Sequence, residues 1–439
     1  MAGSIEPPRN PPLTQNRRRT ACAAVSIFAI SFVVFICAPV DYATSDPQYS
    51  LLTSESILIN HTPALNQFSI PRGESSYQLA RSNGRVLYLY PHGGPIFALP
   101  FVLVLNRLGL RAVNPEGEYN LRGEIQMQRL IAAFLMSTFA GTLVWCARPL
   151  LSLTWSIALV VAATFGTQIL STDALGLWGH TWEIFFSGFT LLLLIRSEVE
   201  GCELHPVLLA TLLSFSFFVR PDSAIAAMEI SLFVWLYHKP LFSAYAAAGT
   251  VWAIVFALYS RSIFGSMMPE YYHGGSMLSL SSLATGLPAN LMSPSRGIFV
   301  FVPTYFLLTL LLTRYWRNVA HKPLAILALA IIGCRLLIVS SWPMWWGGHG
   351  FGPRLLAPLV PWAFLLAVVG VKACPRRRLR RVAAVGLPVV LLAIAINAEG
   401  AFSPRAAHWN VGAGIDAHPN VVWRLRCCQL LAFLCLPKT

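Results

Sequence analysis

The chain has 439 residues, of which 56% are hydrophobic and only 11% charged, with a mean hydropathy of +0.60. Apolar runs recur along its whole length instead of alternating with charged faces, which excludes an ordinary soluble enzyme and points to a polytopic membrane protein. The net charge of +14 does not argue for a nucleic-acid partner, because much of the basic excess sits in short connections between apolar runs, where membrane proteins hold it on the cytoplasmic side.

Residues 1–20 are proline-rich and end in Arg17-Arg18-Arg19, which predicts a disordered cytoplasmic tail and orients the first apolar run, Ala21 to Val40. No A-x-A cleavage site follows, so that run is expected to stay as an uncleaved anchor. Residues 41–128 form the longest polar region and are expected outside, as a first outer loop. Loops longer than about sixty residues cross regardless of charge, so its arginines do not oppose that placement. Asp46-Pro-Gln-Tyr-Ser-Leu-Leu opens a weakly amphipathic helix, with Leu51, Leu52, Ile57 and Leu58 on apolar ground and Asp46, Ser54 and Glu55 turned elsewhere. The run from Tyr88 to Leu105, interrupted by Pro95 and Pro100, is short for a span and suits an interfacial or re-entrant helix.

Further spans are predicted at 130–147, 149–170, 180–195, 206–219, 222–237, 242–261, 297–313, 323–341, 355–371 and 382–397, about eleven with the first. With that count Arg148, Arg196, Lys239, Arg314, Lys372 and the basic cluster at 376–381 all fall on the cytoplasmic side. Merging 206–219 with 222–237 would turn that cluster outward, so the two stay separate. The predicted organisation is a cytoplasmic tail (1–20), a transmembrane domain (21–397) and an extracytoplasmic C-terminal segment (398–439). The apolar tail of that segment, Gln429 to Leu436, is expected on the membrane surface.

Asp41 and Asp46 lie where the first span meets water. Carboxylates kept at that boundary are costly and mark a site, so Asp46 is the expected catalytic base, with Asp41, Glu55 and Asp173 as reserve carboxylates. The 340–354 loop places four glycines in six residues beside Trp345, Trp346, His349 and Arg354. Glycines there allow close backbone approach to a ligand. The rings would stack on substrate, and the planar fork of Arg354 matches phosphate oxygens. Tryptophans at an interface also serve as plain anchors. Arg296, in Ser-Pro-Ser-Arg-Gly, is a second phosphate candidate, against the alternative of a snorkelling arginine. Arg335 lies inside a predicted span and needs a partner or a water-filled cavity, with Glu229 one acid in a neighbouring span. No H-x-x-x-H, H-x-x-H or C-x-x-C pair occurs, and nine scattered cysteines imply neither a zinc site nor a disulfide framework. No P-loop and no G-x-S-x-G elbow appear, so nucleotide-driven transport has no support.

Ser45-Asp46-Pro47-Gln48-Tyr49, Tyr90-Pro91-His92-Gly93-Gly94-Pro95 and Thr172-Asp173-Ala174, in this layout, resemble segments of the polytopic GT-C glycosyltransferases, which include protein mannosyltransferases and lipid A aminoarabinose transferases. The resemblance implies an all-α polytopic membrane fold with a long first outer loop carrying interfacial helices. It puts Asp46 on the family's basic aspartate and Tyr49 on its tyrosine, and adds His92 to the substrate-binding set. The acid that usually follows the aspartate is Pro47 here. The implied activity is inverting transfer of a sugar from a polyprenyl-phosphate donor to a hydroxyl of a glycan, lipid or protein, among membrane lipid at the outer face of a bacterial inner membrane. No cofactor is required by this reading, and a divalent cation is left open. A flippase or transporter of lipid-linked glycans, or a non-catalytic protein of envelope assembly, are the competing readings.

Overall fold

The computed structural model describes residues 13–70 and 76–434. Helix α1 (Leu13–Cys37) starts inside the predicted tail, so residues 13–20 are helical, and residues 1–12 lie outside the described residues. Arg17–Arg19 are good helix formers with no Gly or Pro between them and the span, so the apolar helix continues through them.

The segment predicted as the first outer loop holds α2 (Ser50–Asn60), a hairpin of β1 (Leu79–Ser82) and β2 (Arg85–Tyr88), and α3 (Gly93–Arg107). The hairpin is a small departure from the all-α expectation. It turns on Asn83-Gly84, both at positive φ (51° and 75°), the dipeptide that the tight antiparallel turn selects. The interfacial helix is where the Pro-broken run put it, with Pro100 inside α3. The loop ends sooner than predicted, because α4 (Leu121–Ala147) begins at an Asn120 cap whose side chain accepts from the Gly123 amide at 3.1 Å.

Every predicted span falls on helix. After α4 come α5 (Leu153–Phe165), α6 (Gly179–Glu198), α7 (Pro206–Val219), α8 (Ala224–Tyr237) and α9 (Phe242–Phe264). Next, α10 (Leu280–Met292) precedes the broken pair α11 (Ile298–Phe301) and α12 (Thr304–Tyr315). Then follow α13 (Lys322–Ser341), α14 (Val360–Ala373), α15 (Arg376–Phe402) and α16 (Pro404–Ala413). The predicted boundary at 397 is too early, since α15 runs on to Phe402. Among the described residues, six helical segments are long and apolar enough to cross a membrane, while α5 and α7 are apolar but shorter. Pro221–Ser223 turns the chain between α7 and α8, so the two remain distinct helices.

Packing runs from α1 to α4, α6, α7 and α9, while α13 touches α8, α10 and α14, and α15 lies on α5. Almost none of α9 or α15 is buried inside the protein, so these two present apolar faces suited to lipid. In the C-terminal tail Gln429 is fully buried and Ala432 joins a core cluster with Phe301, Phe351 and Leu355, while Leu431 between them is exposed. Burial of Gln429 is met by its amide donating to the Gly350 and Ala406 carbonyls, each at 3.1 Å.

Candidate active site

The turn between α1 and α2 is held from three directions. The Tyr42 amide donates to Leu175 O at 2.9 Å, Gln128 donates to Pro47 O at 2.9 Å, and the Tyr88 hydroxyl donates to Asp46 O at 2.7 Å. Glu124, at the start of α4, accepts from the amides of Tyr49 (3.1 Å) and Leu51 (2.8 Å) and from the Tyr119 hydroxyl (2.6 Å). One buried carboxylate thus caps α2 and fixes the backbone carrying Asp46. The Asp46 side chain accepts from the Tyr90 hydroxyl at 3.0 Å and from Arg354 Nη2 at 3.1 Å. Burial and the adjacent Asp46 carboxylate keep the Tyr90 phenol protonated, well above its usual range, so it acts as a donor.

Arg354 arrives from the other end of the chain. Its guanidinium lies 4.1 Å from the ring of Trp178, and the group is 7% exposed. The glycines before it are used by the geometry. Gly347, Gly348 and Gly352 have φ of 75°, 59° and 60°, and a Cβ at Gly350 would come 2.6 Å from Arg354 Cδ. Above, Asp416 joins this loop to the C-terminal segment, accepting from Trp346 Nε1 at 2.9 Å and pairing with His349 Nε2 at 2.9 Å.

Asp46, Tyr90, Trp178, His180, Arg220 and Arg354 line one cavity of about 500 Å³, with His349 and Asp416 at its edge. Its floor is a four-charge network. Arg335 binds Asp222 at 2.7 Å and Glu183 more closely still, while Arg220 pairs with Asp222 at 2.6 Å and Glu183 at 3.7 Å. The two arginines thus meet the buried Asp222 carboxylate from both sides. Beside the cavity, sharing Tyr90, Pro91 and Tyr271 with it, runs an apolar slot of about 330 Å³ walled by Phe97, Phe215, Phe218, Trp252 and Phe256.

No protein-family model and no curated protein matches the chain. Among solved structures, the crystal structure of ArnT from Cupriavidus metallidurans bound to undecaprenyl phosphate matches over 96% of this chain and 74% of that one, with a TM-score of 0.53 and 12% identity. At that identity the likeness is one of fold. The chain has a GT-C-like fold.

Within this GT-C-like fold only Asp46, Arg354 and His349 of the sequence-predicted residues line the cavity. Arg296 is corrected to a structural role. It is wholly buried, and its guanidinium donates to Trp346 O (2.6 Å), Ser295 O (2.7 Å), Gln429 Oε1 (2.6 Å), Gly348 O (3.1 Å) and Asn410 Oδ1 (2.5 Å), which leaves no fork for a phosphate. Arg335 is equally committed, to Glu183 and Asp222 instead of Glu229. Asp41 is exposed and closes a local turn to Ala43, and Glu55 is buried against the Ala112 amide at 2.7 Å. Asp173 is fully buried in a π-helical turn (Ile169–Asp173), bonded to His180, and reaches the cavity only through that histidine.

Tyr49 packs against Tyr119 behind the turn, the rings tilted by 45° with 4.8 Å between their centres. His92 faces the slot, bonded to Tyr259 and Tyr88 O, and burial lowers its pKa to about 4, so it is no cation for a phosphate. Trp345 and Trp346 pack with Ile415 and Val422. Sequence reading missed Arg220, Glu183, Asp222, Trp178 and Tyr90. Arg220 left a trace, as a charged residue set between two apolar runs. Among the described residues no three His, Cys, Asp or Glu side chains gather as metal ligands.

Proposed function

We propose that this protein is an inverting glycosyltransferase that moves a sugar from a polyprenyl-phosphate donor to an acceptor hydroxyl on the outer face of a bacterial inner membrane. The observation that carries it is the meeting of Asp46 and Arg354, 308 residues apart, in one cavity beside an aromatic slot. A donor of this class has an apolar chain, a phosphate and a sugar. The slot suits the first, Arg354 and Arg220 the second, and the Tyr- and Trp-lined cavity the third. The similar ArnT structure, which holds undecaprenyl phosphate, supports a lipid carrier of that kind.

In the reaction the acceptor oxygen forms a bond to the anomeric carbon as its proton passes to an Asp46 oxygen. The bond from that carbon to the phosphate oxygen breaks, and its electron pair leaves with the phosphate. Arg354 and Arg220 meet the charge that develops there. The C-terminal segment roofs the site from the outer side, and a disulfide at Cys427 suits an oxidising compartment.

Deletion of the gene should remove one sugar from the cell envelope, read by mass analysis of its glycans and lipids. The wild-type gene should restore it. Asp46→Asn should restore about 10²–10⁴-fold less transfer, the usual contribution of a general base. Full restoration by Asp46→Asn would defeat the transferase reading and favour a flippase, which has no need of a base.

A further inference from the structure

Resting on the donor reading above, we infer that Asp46 occupies the position of the donor phosphate on Arg354, and that the phosphate displaces it and so frees the base. The site then has an order built into it, donor before deprotonation.

The first ground is that Arg354 is fixed and under-used. Its guanidinium is clamped on Trp178 and its stem passes against Gly350. Nε and Nη1 are buried with no hydrogen-bond partner among the described residues, and Nη2 has only Asp46. A guanidinium carries five donors in a rigid fork, and leaving most of them unmet in a buried site is costly. One carboxylate oxygen at 3.1 Å is a poor match for that fork, whereas a phosphate offers oxygens enough to take Nη1 and Nη2, or Nε and Nη2, as a parallel pair.

The second ground is that Asp46 can move where Arg354 cannot. Its side chain is 29% exposed, and its backbone is held separately, through the Tyr88 bond to its carbonyl, so rotation of the side chain alters only its bonds to Arg354 and Tyr90 and leaves the turn in place. The third is chemical. One Asp46 oxygen accepts from Tyr90 and the other from Arg354. Tyr90 and Arg354 thus take up both oxygens through which Asp46 would receive a proton, so the ion pair and the proposed proton transfer oppose each other. A phosphate that takes Arg354 removes the opposing contact at the moment the sugar is in place. By linkage, the same ion pair must weaken phosphate binding.

The test is binding of undecaprenyl phosphate to the full chain in lipid nanodiscs, followed by tryptophan fluorescence, with undecaprenol and inorganic phosphate as companion probes. Asp46→Asn and Asp46→Ala should each tighten undecaprenyl phosphate about tenfold, the scale of one charged hydrogen bond, and leave undecaprenol unchanged. Tighter inorganic phosphate alone, with no gain for the lipid, would overturn the inference, because the displaced group would not be the donor's. Loss of a nearby negative charge could tighten binding without any direct competition, and two controls separate the cases. Asp416→Asn removes a carboxylate from the same cavity that does not touch Arg354, and should give little gain. In an Arg354→Gln background, or Arg354→Lys if the first does not fold, the gain from Asp46→Asn should vanish. An equal gain in both backgrounds, or none in either, overturns the inference while wild-type binding leaves the donor reading intact. Failure of the wild type to prefer undecaprenyl phosphate over undecaprenol defeats the donor reading and this inference with it.

Discussion

Arg354 and Arg296 both leave glycine- and proline-rich outer loops, carry the same charge, and do opposite work. Arg354 has donors to spare in a cavity. Arg296 spends its donors on four separate stretches of chain, at 295, 346–348, 410 and 429, and so ties the glycine-rich loop to the C-terminal segment. Burial and nearby Arg354 lower its pKa to about 9, which still leaves it charged at neutral pH. Lysine at 296 has three donors on a single nitrogen and cannot reach acceptors spread around a planar fork. Arg296→Lys should therefore cost about 3–5 kcal/mol of stability, as uncompensated buried charges do, seen as a lower melting temperature in detergent. Protein that remains folded should bind undecaprenyl phosphate as the wild type does. Arg354→Lys should show the reverse, with a near-normal melting temperature and affinity reduced about tenfold or more. Loss of affinity without loss of stability at 296 would return that residue to the phosphate site. The two arginines were indistinguishable in sequence because residue type and neighbours say what a side chain can bind, while Gln429 and Asn410, which decide what Arg296 does bind, lie 133 and 114 positions away. Asp46 was legible for the contrary reason: an acid just past an apolar run is conspicuous whatever it later meets.

At the scale of elements, long apolar helices were readable and α2 was not. Its pattern suggested an amphipathic helix with Ser54 and Glu55 facing away from the apolar side, yet residues Ser50 through Ser56 are all buried. The polar side chains find main-chain partners that no periodicity reveals: Ser54 donates to Pro95 O at 2.8 Å and Ser56 to Ala64 O at 2.6 Å. Glu55 accepts from the Ala112 amide and so fastens α2 to the segment between α3 and α4. Burial raises its carboxyl pKa from 4.5 to about 7, against the opposing pull of the Ala112 hydrogen bond. A raised folded-state pKa means that the native form holds the proton more tightly than the unfolded chain between those two values. The stabilising contribution is therefore complete below about pH 4.5 and is lost as pH rises through about 7. The melting temperature of the wild type should fall from pH 5 to pH 8 relative to Glu55→Gln, whose amide stays neutral throughout. Parallel curves for the two proteins would mean that Glu55 is ionised across the range and braces α2 as a carboxylate.

For the whole molecule, the charge rule and the folded contacts agree on which helix ends share a face. Arg148 donates to Thr20, His238 pairs with Glu198, Asn318 reaches Ala373 O, and Arg378 reaches Tyr315, so the basic ends gather together, while Asp46, Arg220 and Arg354 gather at the other pole. That polarity was written in the sequence because short basic connections follow apolar runs in a fixed alternation. The shortness of α5, read as 149–170, was not, whereas α7 matches the short run read at 206–219. At 13 and 14 residues they rise about 20 Å, against a hydrocarbon core of about 30 Å. They stop where the buried turn of Asp173 and the network of Glu183, Asp222, Arg220 and Arg335 begin, so the polar cavity replaces helix at the pole opposite the basic helix ends. This arrangement makes the sidedness testable from both poles. With Cys22, Cys37, Cys202 and Cys334 changed to serine, single cysteines at the exposed positions Glu116, Asp416 and Arg378 can be challenged in intact cells with a membrane-impermeant thiol reagent. Glu116→Cys and Asp416→Cys should react at once, and Arg378→Cys only after the membrane is opened. Reaction of all three from outside would mean that the helices between 116 and 378 do not alternate as counted. A reversed pattern would put the cavity in the cytoplasm, where a sugar already translocated on its lipid could not reach Asp46, and the donor would have to be one that is delivered from inside.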